Sequence, residues 1–205
     1  MKSITICVIV LCYTIQLNAQ QINTEVFKNG RSNLLGRIDR ESLQKENYAS
    51  WFNSNYNNYN PQKELVAAIA PKLNSYKILV FMGTWCGDSK REVPKLYKVL
   101  DDANFPMNQL TVIAVSNEAN MYKQSPQHEE KGLNIHRVPT VIFYKNDKEV
   151  NRIIEEPIEN FEKDIQKIIS SNNYEPNYQI VSKVSEILRN KGTKEEQNKR
   201  TKEQK

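Results

Sequence analysis

The octapeptide Gly-Thr-Trp-Cys-Gly-Asp-Ser-Lys, residues 83–90, stands between two segments of different periodicity. Before it, Ile78 to Met82 is a continuous apolar run, typical of a strand buried on both faces of a sheet. The pattern therefore predicts that Cys86 lies where a buried strand ends and a helix begins. The helix is indicated by apolar side chains that recur on one face, at Val93, Leu96, Tyr97 and Leu100.

A cysteine at that junction is expected to be reactive. The first N–H groups of a helix have no partner within it and lie at the positive end of its dipole, so they favour a thiolate. Such positions lower a thiol pKa from about 8.5 into a range of about 3.5 to 7.5. The alternative is an inert cysteine in the core, but Gly87 and Asp88 are poor core residues. Asp88 would raise the pKa of the thiol, whereas Lys90 and Arg137 would lower it.

The segments that follow predict an α/β domain. Leu110 to Val115 is a second apolar run, and the order strand, helix, strand is that of a parallel βαβ unit. Thr140 to Tyr144 and Val150 to Ile154 indicate two more strands, which the short Asn146-Asp147 link would join as an antiparallel hairpin. Residues 64–172 are thus expected to form a central mixed sheet flanked by helices. The closing helix is predicted from Ile158, Phe161, Ile165, Ile168 and Ile169.

Residues 20–63 are predicted to be an N-terminal extension of helix and loop. Helix is expected around Asp39 to Phe52, and the Asn-rich tract at 53–60 predicts a loop because it offers little apolar surface. Asn60-Pro61 resembles the start of a further helix, which Pro71 would end.

Two shorter predictions concern the second half of the chain. Residues 126–130 suggest the start of a short helix. Residues 173–205 are expected to hold a C-terminal helix, Tyr178 to Leu188, and then a disordered basic tail from Asn190 onward.

Residues 1–19 have the layout of a secretory signal peptide. A basic start at Lys2 precedes a mostly apolar run from Ile4 to Ile15, which is shorter than the ~18 to 20 residues that span a bilayer. Cleavage is predicted after Ala19, which would place the mature chain in the periplasm or outside the cell.

Removal of the predicted signal peptide would reduce the number of cysteines in the mature chain. Cys7 and Cys12 lie in the segment to be removed, and lipid attachment at Cys12 is the weaker alternative because Leu11 precedes it. The mature chain would hold Cys86 as its one thiol. In an oxidising compartment such a thiol must be buried, paired with another molecule or reactive.

The net charge of +5 gives no support to nucleic-acid binding. Lys2 carries one unit, and residues 189–205 carry seven basic and three acidic side chains, so residues 3–188 are neutral overall. His128 and His136 are too few for a zinc site with a single cysteine. No metal and no cofactor is therefore expected.

The octapeptide resembles the active site of the thioredoxin-fold family of thiol-disulfide oxidoreductases. Trp85-Cys86-Gly87 matches the family's Trp-Cys-Gly-x-Cys pattern, with Ser89 in place of the second cysteine. Pro94 matches the proline that kinks the family's first active-site helix, and Val138-Pro139-Thr140 matches its hydrophobic-Pro-Thr segment. The resemblance covers about residues 64–170.

The resemblance also implies roles for individual residues. Cys86 would be the nucleophile and Ser89 its catalytic neighbour, while Arg137 and Lys90 would tune the thiol. An X-Pro bond is usually trans, but the family's proline at the position of Pro139 is cis and faces the sulfur. Extended substrates pair beside it by β-strand addition, and substrate contacts are implied for Trp85, Gly87, Asp88, Val138, Pro139 and Thr140.

Two departures from the family affect the same half-reaction. Ser89 cannot attack a mixed disulfide as the second cysteine does. The buried acid thought to help that cysteine is replaced by Val80. The sequence thus predicts an exported monothiol oxidoreductase or disulfide isomerase that acts through mixed disulfides at Cys86. Its expected partners are cysteine-containing proteins or small thiols and disulfides, with an external thiol as reductant.

Two other functions fit the same residues. One is a binding or chaperone-like module that keeps the substrate groove without turnover. The other is a redox-sensing thiol that is oxidised to a sulfenic acid and rescued by an external thiol.

Overall fold

The computed structural model describes residues 22–28, 30–170 and 173–178. These residues form a six-stranded sheet in the order β1-β2-β4-β3-β5-β6. Its strands are β1 (Thr24–Lys28), β2 (Arg31–Ile38), β3 (Lys77–Met82), β4 (Leu110–Ala114), β5 (Thr140–Lys145) and β6 (Lys148–Ile154). The helices are α1 (Arg40–Leu43), α2 (Glu46–Asn58), α3 (Lys63–Leu73), α4 (Gly87–Asp102) and α5 (Phe161–Ile169).

The predicted α/β architecture is confirmed. β3 runs parallel to β4, with Val80 opposite Val112, and α4 is the crossover between them. On its other side β3 pairs antiparallel with β5, and β5 and β6 form the predicted hairpin. Asn146 and Asp147 both have positive φ, as a two-residue turn of this kind requires.

The two faces of the sheet are covered differently. Alternate residues of a strand point to opposite faces, and Val80 and Met82 of β3 belong to the large core cluster that includes side chains of α2, α3, α4 and α5. Phe81 belongs to a smaller cluster with Ile113 and Val138, and the segment between β4 and β5 covers that face. Cys86 packs against this second, smaller cluster.

The segment predicted as an N-terminal extension of helix and loop also contains two strands. β1 and β2 form an antiparallel hairpin, and β2 joins the central sheet with Gly36 opposite Ala114 of β4. The prediction of residues 20–63 as helix and loop was therefore wrong for β1 and β2. Their side chains are mixed in exposure, so the apolar alternation that marks a half-buried strand is weak.

The helical prediction around Asp39 to Phe52 is confirmed by α1 and α2, but the predicted loop at 53–60 was wrong because α2 continues to Asn58. Its aromatic residues recur every four positions and pack towards α4. The ring of Phe52 lies 6.2 Å from that of Tyr56 and 5.6 Å from that of Tyr97. Asparagines lie between these aromatic residues in the sequence, so the apolar face of α2 was not recognised there.

Three further expectations are corrected. Helix α3 runs past Pro71 to Leu73, so the proline removes one backbone hydrogen bond in the last turn without ending the helix. Residues 126–130 form turns, with a positive φ at His128, instead of a helix. Ile158 is 48% exposed and precedes α5, because the Asn160 side chain caps that helix by accepting from Lys163 N at 2.9 Å.

The predicted signal peptide and the basic tail lie outside the described residues, as does the predicted C-terminal helix apart from Tyr178, which is in a turn. Among the residues that are described, no helix has the length and apolar character needed to cross a bilayer.

Candidate active site

Cys86 lies at the predicted junction. β3 ends at Met82, and Cys86 is the N-cap residue of α4, with extended backbone. Cys86 follows a tight turn, in which its N donates to Gly83 O at 2.9 Å. In the first turn of the helix, Lys90 N donates to Cys86 O at 3.1 Å. The sulfur is thus held at the end of the sheet where the backbone N–H groups of α4 begin.

The sulfur meets the Val138-Pro139 segment directly. The peptide bond between these residues is cis, and the Cys86 thiol donates to Val138 O at 3.2 Å. The adjacency of β3 and β5 brings the two segments together, since Thr140 at the start of β5 pairs with Phe81. The Thr140 hydroxyl donates to Arg137 O at 2.7 Å and so holds the turn.

Trp85 packs over the turn beside the cysteine. Its Nε1 donates to Val115 O at 2.8 Å, and its ring lies 5.8 Å from that of Tyr122, which is 53% exposed. A Cβ atom at Gly83 would lie 2.5 Å from Trp85 Cε2. Position 83 must therefore be glycine for the indole to occupy this place. Tyr122 was missed in the sequence because nothing near it indicates contact with Trp85.

Gly83→Ala is expected to reduce the free energy of unfolding by about 1 to 3 kcal/mol, the usual cost of overpacking. The new methyl group would displace the Trp85 ring and break its hydrogen bond to Val115 O. Urea unfolding followed by tryptophan fluorescence measures both effects. Gly87→Ala is the matched control, since a Cβ there meets no atom within 4 Å. Equal stability of the two variants would contradict this packing.

Ser89 is fully buried in the first turn of α4. Its hydroxyl oxygen accepts a hydrogen bond from Gly83 N at 3.1 Å. The side chain at the position of the second family cysteine therefore points back to the turn that carries Cys86. Gly87 lies on the open side of the same turn, and Val80 is buried in the core.

The charged residues near the cysteine are mostly bound to other partners. Asp88 forms an ion pair with Arg91 at 2.9 Å. Arg137 pairs with Glu155 at 2.9 Å, and this hydrogen bond raises the pKa of the guanidinium. If Arg137 acts on the Cys86 thiol as predicted, it must do so while it is paired with Glu155. Lys90 is the other basic residue that was predicted to tune the thiol, and it lines a cavity beside Trp85.

This cavity, here called the Trp85 cavity, has a volume of about 370 Å³. Residues 30–33 of the hairpin form one wall, Trp51 of α2 a second, and Thr84 and Trp85 a third. The hairpin is bonded to the turn that carries Cys86, since Leu34 N donates to the Thr84 hydroxyl at 3.1 Å. Because the hairpin was not predicted, the cavity was not predicted either.

Comparison with known proteins gives one family and one structure. A family model described as thioredoxin matches residues 40–169. The crystal structure of a protein of unknown function from Pseudomonas aeruginosa is similar, with 15% identity, a TM-score of 0.34, and coverage of 60% of this chain and 70% of that chain. No curated protein matches the chain.

Proposed function

The chain belongs to the thioredoxin family, and from this membership we propose that it is a monothiol oxidoreductase or disulfide isomerase that acts through mixed disulfides at Cys86. The observation that carries the proposal is the contact between Cys86 Sγ and Val138 O, 3.2 Å long, at the N-terminus of α4. It supports a reactive sulfur placed beside a backbone segment that a substrate chain can reach.

The proposed reaction is thiol-disulfide exchange. The thiol proton leaves to solvent, and the Cys86 thiolate attacks one sulfur of a substrate disulfide. A bond forms between that sulfur and Cys86, and the substrate's S–S bond breaks and releases the other sulfur as a thiolate. Cys86 is oxidised in this step and the released sulfur is reduced.

The mixed disulfide must then be resolved by another thiolate. Ser89 has no sulfur, and its hydroxyl is occupied by Gly83 N. If the substrate's own second cysteine attacks, Cys86 is regenerated and the substrate disulfide is rearranged, which is isomerisation. If an external thiolate attacks the Cys86 sulfur, the substrate leaves as a thiolate and Cys86 is left in a disulfide with the external thiol. A second external thiolate then attacks the external sulfur of that disulfide, which regenerates Cys86 and joins the two external thiols in a disulfide.

The substrate is expected to approach along the turn that precedes β5. The open space at Gly87 leaves room above the start of α4, and the backbone of Val138 and Pro139 lies beside the sulfur. Asp88 and Trp85 flank this approach, whereas Thr140 is buried and positions the turn. Main-chain pairing of an extended peptide would occur here.

The partners in this proposal are cysteine-containing proteins or small thiols and disulfides, with an external thiol as the final reductant. The proposed location is the periplasm or the space outside the cell, in accordance with the signal-peptide pattern at residues 1–19.

The test is to trap the intermediate. The full chain is incubated with a small disulfide at a series of pH values, and mass spectrometry identifies which cysteine carries the adduct. We expect a mixed disulfide at Cys86 that forms at neutral pH and is removed by added thiol. Resistance of Cys86 to disulfides and to alkylation at neutral pH, together with binding of unfolded chains, would favour the non-catalytic binding module instead.

A further inference from the structure

The Trp85 cavity combines two basic side chains with closeness along the chain to the reactive cysteine. Arg31 and Lys90 both line it, and neither makes an ion pair among the residues that the structure describes. None of the described residues that line it is acidic. Its volume of about 370 Å³ falls within the ~300 to 1,000 Å³ of small-molecule sites.

Two acidic residues lie beside the cavity, and both are bound to other groups of the protein. Glu25 accepts hydrogen bonds from three of the lining residues, Ser32, Asn47 at 3.0 Å and Tyr48 at 2.8 Å, and the charge of Lys45 also acts on it. Hydrogen bonds, first of all from Ser32, hold the pKa of Glu25 below its usual range. Glu118, next to the lining residue Asn117, is paired with Lys28.

The cavity opens next to the catalytic turn. Thr84 and Trp85, the two residues directly before Cys86, form part of its wall. One molecule can therefore place a group in the cavity while its sulfur is attached to Cys86. The lining amides of Asn33 and Asn117 add hydrogen-bonding groups that suit a carboxylate, whereas the Asn47 amide donates to Glu25.

We propose that the Trp85 cavity binds a carboxylate of the disulfide partner, held by Arg31 and Lys90, and so selects acidic thiols and disulfides as substrates of Cys86. This inference rests on the proposed function for its biological meaning, but the binding itself does not need a reactive sulfur. The carboxylate could belong to a small acidic thiol or to an acidic side chain near a substrate cysteine.

Binding is tested first without the chemistry. Both tryptophans of the chain, Trp51 and Trp85, line the cavity, so their fluorescence reports on its occupant. The full chain with Cys7→Ser, Cys12→Ser and Cys86→Ser is titrated with 3,3′-dithiodipropionate and, in parallel, with its uncharged diamide. We expect a saturable change with the acid and at least about fivefold weaker binding of the diamide, with the difference reduced in 1 M salt.

The cations are then removed. Arg31→Gln combined with Lys90→Gln is expected to weaken binding of the acid at least about fivefold. Arg37→Gln is the matched control, because Arg37 is exposed, lies on β2 with Arg31 and does not line the cavity. Equal binding of acid and diamide, full binding by the double variant, or no saturable change would each overturn the proposal.

The rate of adduct formation at Cys86 in the unmodified chain separates this inference from the proposed function. A rate ratio of acid to diamide above about five, which falls towards one in the double variant, supports both. Equal rates with the two disulfides would overturn the cavity's role in selection and leave the exchange activity standing. Binding of the acid without any reaction at Cys86 would keep the carboxylate site and remove the proposed function.

The source of the carboxylate is distinguished by a second pair of probes. Disulfides of the peptides Cys-Gly-Glu and Cys-Gly-Gln, blocked at both ends, differ only in the charge of one side chain. A preference for the acidic peptide that the double variant loses supports an acidic protein substrate. A preference seen with the propionate and not with the peptides supports a small acidic thiol.

Discussion

Cys86→Ser is expected to lower the rate of thiol-disulfide exchange by at least about a thousandfold, to the background of the assay. A thiolate is the attacking group in exchange, and a serine hydroxyl does not ionise near neutral pH. A thousandfold loss corresponds to about 4 kcal/mol in activation free energy. We expect the serine hydroxyl to donate to Val138 O in place of the thiol, which would retain the turn beside Pro139.

The measurement needs a parent chain in which Cys86 is the one thiol. Cys7→Ser and Cys12→Ser provide it, and exchange with a chromogenic disulfide is followed before and after the Cys86 change. Thermal unfolding of the variant should match that of the parent, which separates loss of the sulfur from loss of the fold. Exchange at the parent rate in a folded Cys86→Ser variant would refute thiol chemistry at this site.

Ser89→Cys is expected to create a dithiol reductase. The side chain at 89 lies in the first turn of α4, three residues after Cys86, and points back to Gly83 N. A thiol there attacks the mixed disulfide within the same molecule. Its effective concentration far exceeds that of an external thiol, so the resolving step should accelerate on the order of a hundredfold or more.

Reduction of a protein disulfide with dithiothreitol as the electron source measures this gain, together with the lifetime of the mixed disulfide. The cost is a weaker acceptor for Gly83 N, since sulfur accepts hydrogen bonds poorly, and we expect a loss of about 1 kcal/mol in stability. The double variant Cys86→Ser with Ser89→Cys is the control and should be inactive. A Ser89→Cys chain with no faster resolution would mean that the two positions do not face each other.

The central part of the fold was predictable because its signals are strong. β3 and β4 are continuous apolar runs, and the buried face of α4 repeats at helical spacing, so their order defined the sheet. The hairpin of β1 and β2 was missed because its strands are polar and partly exposed. Asn29-Gly30, a typical hairpin turn pair, was the available signal.

The candidate site, too, was predictable only in part. The meeting of Cys86 with the Val138-Pro139 segment followed from the resemblance, and the pairing of β3 with β5 explains it physically. The partners of Arg137 and Asp88 were not predictable. An ion pair such as that of Arg137 with Glu155 depends on where two loops lie after folding, and sequence spacing carries no such information.

The hairpin also bears on how much of this chain can stand alone. The family match begins at residue 40, so both strands of the hairpin lie outside the shared region. A fragment trimmed to that region would leave the outer edge of β4 with unpaired backbone groups, a template on which other chains add strands and aggregate. It would also release Thr84 from Leu34. The β1-β2 hairpin therefore protects the edge of β4 from pairing with other chains. It also supports the turn that carries Cys86.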